Sequence, residues 1–214
     1  MAQIDKNYFS TDLDTMKKNK VEDILEEDEE ILVSLTPNKK VYILEAIFRG
    51  LPIALLWGGI DTFIIIMMSR SGFFELSFAV LFVVFFFAIH LIPVWMYIWG
   101  IVKRTMDYKN LQYYLTNKRI ILRNGLIGID FKVFYYSEIA AVTVKVGIFD
   151  RLFKVGDLSI QSTNQRAVLE DIENPYFYLS KIQKIVQDIK TDMAFPNNLR
   201  PKENDGYQTK YTPK

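Results

Sequence analysis

Two apolar runs decide how this chain is read: LPIALLWGGIDTFIIIMM at residues 51–68 and LSFAVLFVVFFFAIHLIPVWMYIWGIV at residues 76–102. The first has 18 residues and one formal charge, Asp61; the second has 27 and no Asp, Glu, Lys or Arg. A bilayer core about 30 Å thick is crossed by roughly 20 apolar residues rising about 1.5 Å each. Both runs are long enough, and the residues between them, Ser69–Glu75, are polar at their start. The spacing predicts a transmembrane helical hairpin over residues 46–102, with helices at 46–68 and 76–102.

Lys39, Lys40 and Arg49 precede the hairpin and Lys103, Arg104 and Lys109 follow it, whereas the connector carries only Arg70. Positive charge on the flanks predicts a multi-pass protein of the cell membrane with both termini cytoplasmic and the connector outside. Residues 1–10 hold no apolar segment of the signal-peptide kind, so the first run is expected to act as its own insertion signal.

Asp61 and His90, the sole histidine, are the intramembrane polar residues, and such residues are functional candidates. A central Asp costs about 2.5–3.5 kcal/mol on insertion, and large aliphatic residues and Phe return about 0.3–0.6 each. Nine of these lie in residues 51–68, enough to offset the Asp with little over. Folding the hairpin about Gly72 sets Asp61 level with Val83 and His90 level with Ala54. That offset, about 10 Å along the axis, predicts no direct Asp61–His90 pair. It leaves Asp61 to water, bilayer thinning or a second copy of the chain. Pro93 removes a hydrogen bond to the Ile89 carbonyl and predicts a kink beside His90. Gly58-Gly59 is expected at a close helix crossing. Tyr97 and Trp99 fit an inner aromatic belt, and Trp57 fits packing.

The whole chain has 214 residues, a net charge of +1 and no cysteine. Its mean hydropathy is only +0.08, which suits an anchor joined to a polar domain rather than a many-helix transporter. The charge gives no global attraction to nucleic acid, and the missing cysteine excludes disulfides, thiolate metal sites and Cys nucleophiles. Residues 1–30 form an acidic polar segment, with seven acids in the nine positions 22–30; such a cluster is expected to be solvated, the alternative being a short amphipathic helix on Leu13, Met16, Val21, Ile24 and Leu25. Residues 31–45 are a juxtamembrane lead-in with a short strand at Ile31–Leu35.

Residues 103–193 read as a soluble domain. Strands are predicted at Leu111–Thr116, Arg119–Arg123, Phe131–Tyr136, Ile139–Gly147, Asp157–Gln161 and Ala167–Leu169, from alternation and intervening turn residues. Asn117-Lys118 and Asn124-Gly125 are turn candidates, and Leu152–Gly156 is read as a loop. Asn174 and Pro175 then suit a helix start. Ile182, Ile185, Val186, Ile189 and Met193 recur at helical spacing, so the helix lays one face on the sheet. Residues 194–214, polar with Pro and Gly, are expected to be disordered. The fold class is therefore α+β: a two-helix transmembrane hairpin followed by an antiparallel β-sandwich or barrel with a C-terminal helix.

Consecutive antiparallel strands closed by one helix is a pleckstrin-homology-like (PH-like) arrangement. Tyr114–Leu126 (YLTNKRIILRNGL), Tyr136-Ser137-Glu138-Ile139, Val142-Thr143-Val144, Leu152–Gly156 and Asn174-Pro175 resemble the signature of the bacterial PH-like membrane proteins, also called the YdbS-like or DUF304 family. The Glu30-Ile31-Leu32…Thr36-Pro37 lead-in matches too, with Asn38 where many members have His. The resemblance covers about residues 28–193 and implies a PH-like domain behind two membrane helices, without a settled biochemical role.

No P-loop, dinucleotide fingerprint, HExxH or GxSxG pattern is present, and no catalytic residue, cofactor site or metal ligand is assigned. Lys118, Arg119 and Arg123 sit where eukaryotic relatives place headgroup-binding bases. Residues 111–193 nevertheless hold 11 Lys/Arg against 9 Asp/Glu, too even a balance for a strong anionic pocket. The leading expectation is a non-enzymatic interaction or assembly module. Its partners would be the bilayer and proteins, including a second copy. Lys118, Arg119 and Arg123 are the binding candidates. The alternatives are a small transporter or channel subunit using Asp61 and His90, and an anionic-lipid sensor using the three basic residues.

Overall fold

The computed structural model describes residues 20–26, 28–71 and 77–194. The 1–19 part of the acidic segment, the Gly72–Glu75 half of the connector and the tail beyond Ala194 lie outside the described residues.

The Asn38 side chain accepts the amides of Lys40 and Val41 and starts α1, Lys39–Arg70, as an N-cap does. The second apolar run forms two helices rather than the single one expected, α2 (Ser77–His90) and α3 (Ile92–Asp107). They meet at Leu91 with a bend of 51°. Pro93 lies in the first turn of α3, where its missing N–H is tolerated. Helix α1 is long and apolar enough to cross a membrane, and the α2–α3 pair qualifies only when the bent pair is taken as one span. The tight approach of α1 to α3 occurs at Gly50, where a Cβ would lie 2.5 Å from the Tyr97 ring. It does not occur at Gly58-Gly59: among the described residues a Cβ at Gly58 would touch only Val94, at 3.9 Å, and one at Gly59 would meet no residue of another element within 4 Å. The Tyr97 hydroxyl donates to the Ile47 carbonyl at 3.0 Å, fixing the ring against Gly50.

Among the described residues, seven strands make two antiparallel sheets. The first, in order, holds β1 (Ile31–Leu35), β2 (Gln112–Thr116), β3 (Arg119–Asn124) and β4 (Asp130–Tyr135). The second holds β5 (Ile139–Lys145), β6 (Val155–Ser162) and β7 (Arg166–Glu173). The lead-in strand is thus an edge of the first sheet, Val33 opposite Leu115 and Leu35 opposite Tyr113. The two-sheet domain draws on residues from both sides of the apolar stretch. Asn124 pairs with Asp130, so Asn124-Gly125 opens a longer loop rather than a two-residue turn. The stretch read as a loop before Gly156 contains a short helix, α4 (Ile148–Phe153), ended by Lys154 in the left-handed region at φ 58°.

Between the sheets lie Tyr113, Ile120, Phe134, Tyr136, Ile139, Leu158, Ile160, Leu169 and Ile172, all essentially buried. Helix α5 (Pro175–Ala194) closes this core with Ile182, supported by Ile185, Val186 and Ile189. Met193 continues the spacing but is 69% exposed, so the buried stripe ends a turn earlier. The described part of the acidic segment docks through its apolar residues and Glu29, while Glu22, Glu26, Asp28 and Glu30 stay exposed. Val21 is buried against Tyr114 and Ile121 on the outer face of the first sheet, with Ile24 and Leu25 beside it.

Candidate functional site

The β2–β3 hairpin carries the three predicted basic residues, and their surroundings differ. Arg119 is 7% exposed. Its Nε and Nη2 donate to Glu29 at 2.9 and 2.8 Å, its Nη2 also to the Ile24 carbonyl at 2.6 Å, and its Nη1 to the Tyr135 hydroxyl at 2.9 Å. Lys118 pairs with Glu26 at 3.3 Å. Arg123 Nη1 donates to the Gln112 side chain at 3.2 Å. The hairpin therefore meets the acidic segment of the same chain, and the three residues do not make an open basic surface. Burial pushes the Glu29 carboxyl up, but its hydrogen bonds from Arg119, the Glu26 amide and Thr116 outweigh burial and hold it below its ordinary value.

Asp61 and His90, expected to lie too far apart, are in contact. His90 Nδ1 is 2.9 Å from Asp61 Oδ1, and Asp61 is 1% exposed. The expectation failed because it assumed two straight helices. A segment of 14 residues inclined by 51° advances about 13 Å along the packed axis instead of about 21 Å. That recovers about 8 of the 10 Å. The His90 ring stacks on Trp57 at 5.3 Å and on Phe86 at 5.2 Å. The Trp57 indole N–H donates to the His90 carbonyl at 2.8 Å. The carbonyl served across the kink is thus that of His90, not of Ile89.

A third cluster joins α1 to the domain. Glu45 on α1, Asp150 on α4 and Asp171 on β7 each bring a carboxylate oxygen within 4.8 Å of the other two. Asp150 and Asp171 are 2% and 1% exposed. Asp150 Oδ2 accepts the Gly147 amide at 2.6 Å and caps α4. Its Oδ1 and both oxygens of Asp171 have no hydrogen-bond partner. Asp171 sits at a bulge: Gly156 faces Ile172 and Leu158 faces Leu169, so two β7 residues oppose Asp157 alone. Its φ is 52°, a left-handed conformation that Asp tolerates better than most residues. Burial first, then Glu45, Asp157 and Asp150, push the Asp171 carboxyl up to about 7 against the pull of Arg104. Burial and the same acids raise Glu45. Burial also raises Asp157, although the Asp171 amide opposes it.

A family model described as bacterial PH domain matches residues 51–193. The chain belongs to this family. Compared with curated proteins and with solved structures, it finds no match. The matched range opens within α1 and ends in α5, so the apolar stretch is part of this bacterial PH domain as the family defines it. The sheets and capping helix are those that the resemblance implied.

This bacterial PH domain also has a groove of about 550 Å³ between β5 and α5, with Ala141, Val142, Val186 and Ala194 among its lining. Lys190 from α5 reaches across one end and donates to the Ile139 carbonyl at 2.7 Å. Neither the groove nor the carboxylate cluster was read from the sequence. Glu45, Asp150 and Asp171 lie far apart in the chain, and no spacing rule joins them. The local signal is Gly147 three residues before Asp150, the spacing at which the Asp150 carboxylate accepts the Gly147 amide at the start of α4.

Proposed function

We propose that this bacterial PH domain is a membrane-anchored, non-enzymatic interaction or assembly module. A hairpin of apolar helices holds its two-sheet domain at the inner face of the cell membrane, with both termini cytoplasmic. The observation that carries this reading is the pairing of β1 with β2. These strands flank the apolar stretch on either side, so whatever α1 crosses, the chain between must cross back. The burial pattern of α1 supports the same reading. Asp61 is buried, while Leu55 and Phe63 are each 65% exposed. Polar in and apolar out inverts the pattern of a helix in water.

Binding rather than catalysis is supported by the use of the sole histidine, which is engaged with Asp61 inside the apolar stretch. The β5–α5 groove offers a concave, largely apolar surface of the kind that takes a ligand or a partner's side chains. Lys118 and Arg119 of the basic hairpin are committed to the chain's own acids, and Arg123 to Gln112. Crosslinking in native membranes is expected to lose co-purifying proteins in Ala141→Arg and to keep them in Lys118→Glu. The reverse result would move the contact surface back to the hairpin.

The native chain has no cysteine, which makes the topology directly testable. Single cysteines at Ser34, Ser71 and Asn164 are offered an impermeant maleimide in intact cells. Ser71→Cys is expected to label from outside, and the other two only after permeabilisation. Protection of Ser71→Cys in intact cells would exclude the crossing hairpin and favour a re-entrant or surface-lying stretch.

A further inference from the structure

We propose that Glu45, Asp150 and Asp171 hold a hard divalent cation, Ca2+ or Mg2+, at the joint between α1 and the two-sheet domain. Three oxygens each within 4.8 Å of the others leave a point about 2.8 Å or less from all three. A Ca2+–oxygen bond is roughly 2.3–2.6 Å and a Mg2+–oxygen bond about 2.0–2.1 Å, so small side-chain movements close the site on either ion. The donors are all carboxylates, which suits hard cations rather than those that prefer imidazole or thiolate.

Independent of the clustering, three of its oxygens are buried and unpartnered: Asp150 Oδ1 and both of Asp171. Buried polar atoms are paired in the great majority of cases, and an unpaired buried carboxylate is costly. Of the nearby cations, one is engaged elsewhere and the other pairs only loosely with the ligand on the exposed side. Arg104 donates from Nε to the Tyr42 carbonyl at 2.8 Å and pairs with Glu170 at 3.0 Å. Arg49 forms a long ion pair with Glu45 at 3.8 Å, and its side chain is 76% exposed, so it leaves the buried Asp150 Oδ1 and Asp171 oxygens unserved. Asp157 adds a fourth carboxylate behind the site, accepting the Asp171 amide at 3.1 Å. The β7 bulge that costs Asp171 a left-handed backbone turns its side chain out of the ladder, as bulges next to functional sites do.

The three ligands come from α1, α4 and β7, so one ion ties the apolar stem to the second sheet. It would fix how the domain stands on its anchor. Water completes the coordination on the Glu45 side, where the side chain is 25% exposed.

The test uses the full chain in detergent, stripped with EDTA and then given CaCl2, MgCl2 or NaCl at matched ionic strength. Equilibrium dialysis is expected to find one divalent ion per chain. At 100-fold excess over Kd, the thermal midpoint is expected to rise by about 5–10 °C. NaCl gives no rise, and the larger of the two divalent responses names the ion. Asp171→Asn removes both the binding and the rise. Glu45→Gln, at the exposed side of the site and so tolerated by the fold, weakens binding at least tenfold. A parent chain that neither binds nor responds to either divalent ion overturns the proposal and leaves protons as what neutralises the cluster. Unchanged affinity in both variants overturns it as well.

Discussion

Arg119→Ala is expected to lower the stability of the full chain by about 3–5 kcal/mol, the cost of leaving a buried charge without its partner. The stranded group is Glu29, whose side chain is fully buried while Arg119 faces it from 2.8 Å. Thr116 is the other side chain that serves Glu29, at 2.7 Å. Lys118, one residue away on the same hairpin, provides the control. Its partner Glu26 is 42% exposed, so Lys118→Ala is expected to cost no more than about 1 kcal/mol. For a domain of this size the two substitutions translate to midpoint drops of roughly 6–20 °C and less than about 4 °C. The paired replacement Arg119→Met with Glu29→Leu is expected to recover most of the loss, because no charge is then left buried. Equal, small drops for both single substitutions would show that the acidic segment is not held by this pair.

The same carboxyl sets an acid limit. Glu29 is held below its ordinary value of 4.5 when folded. A depressed carboxyl contributes stability above its unfolded pKa and loses it as pH falls through the folded one. Release of Val21–Leu35 from the first sheet is therefore expected below about pH 4.5, read by amide hydrogen exchange. In Arg119→Ala the carboxyl keeps its burial and loses its main partner, so release moves to higher pH.

These expectations depend on contacts that the sequence announced only in part. Period-two alternation marked β5 and β6, and helical spacing marked α5, because each element buries one face whatever the rest of the chain does. The lead-in strand was visible as a strand, but not its partner: pairing across the whole apolar stretch is a long-range fact with no local signature. Lys118, Arg119 and Arg123 look alike in a sequence. What separates them is the acidic segment folding back on Arg119, which a reading by charge density takes for solvated chain. The Asp61–His90 contact was missed for a geometric reason. A residue count gives depth only along a straight helix, and Pro93 signalled a kink without its angle. The carboxylate cluster depends on a single-residue bulge, and alternation cannot place a bulge within a strand already bounded by turns.

The largest effect in the apolar stretch is expected at His90. His90→Ala removes the side chain that pairs with buried Asp61, at a cost of about 3 kcal/mol on the scale of a central Asp in a membrane helix. Two accounts of the pair then diverge. If it clamps α1 to the kinked α2–α3 segment, then Asp61→Leu with His90→Phe is expected to hold the packed helices within about 1 kcal/mol of the parent, since well-packed apolar residues often replace a buried polar pair with little loss. Phe at position 90 keeps the stacking on Trp57 and Phe86, and the Trp57 bond survives because it goes to the backbone carbonyl. If the pair instead carries protons, the same double substitution keeps the fold and abolishes a flux that the parent shows in proteoliposomes. Stability by denaturant titration and proton flux, measured on the parent and the double substitution, therefore separate a clamp from a relay. The clamp is the outcome expected of a chain whose single histidine is sandwiched between two aromatic rings and whose Asp faces inward. A second copy is then not needed to satisfy Asp61, so any self-association must be driven from another surface.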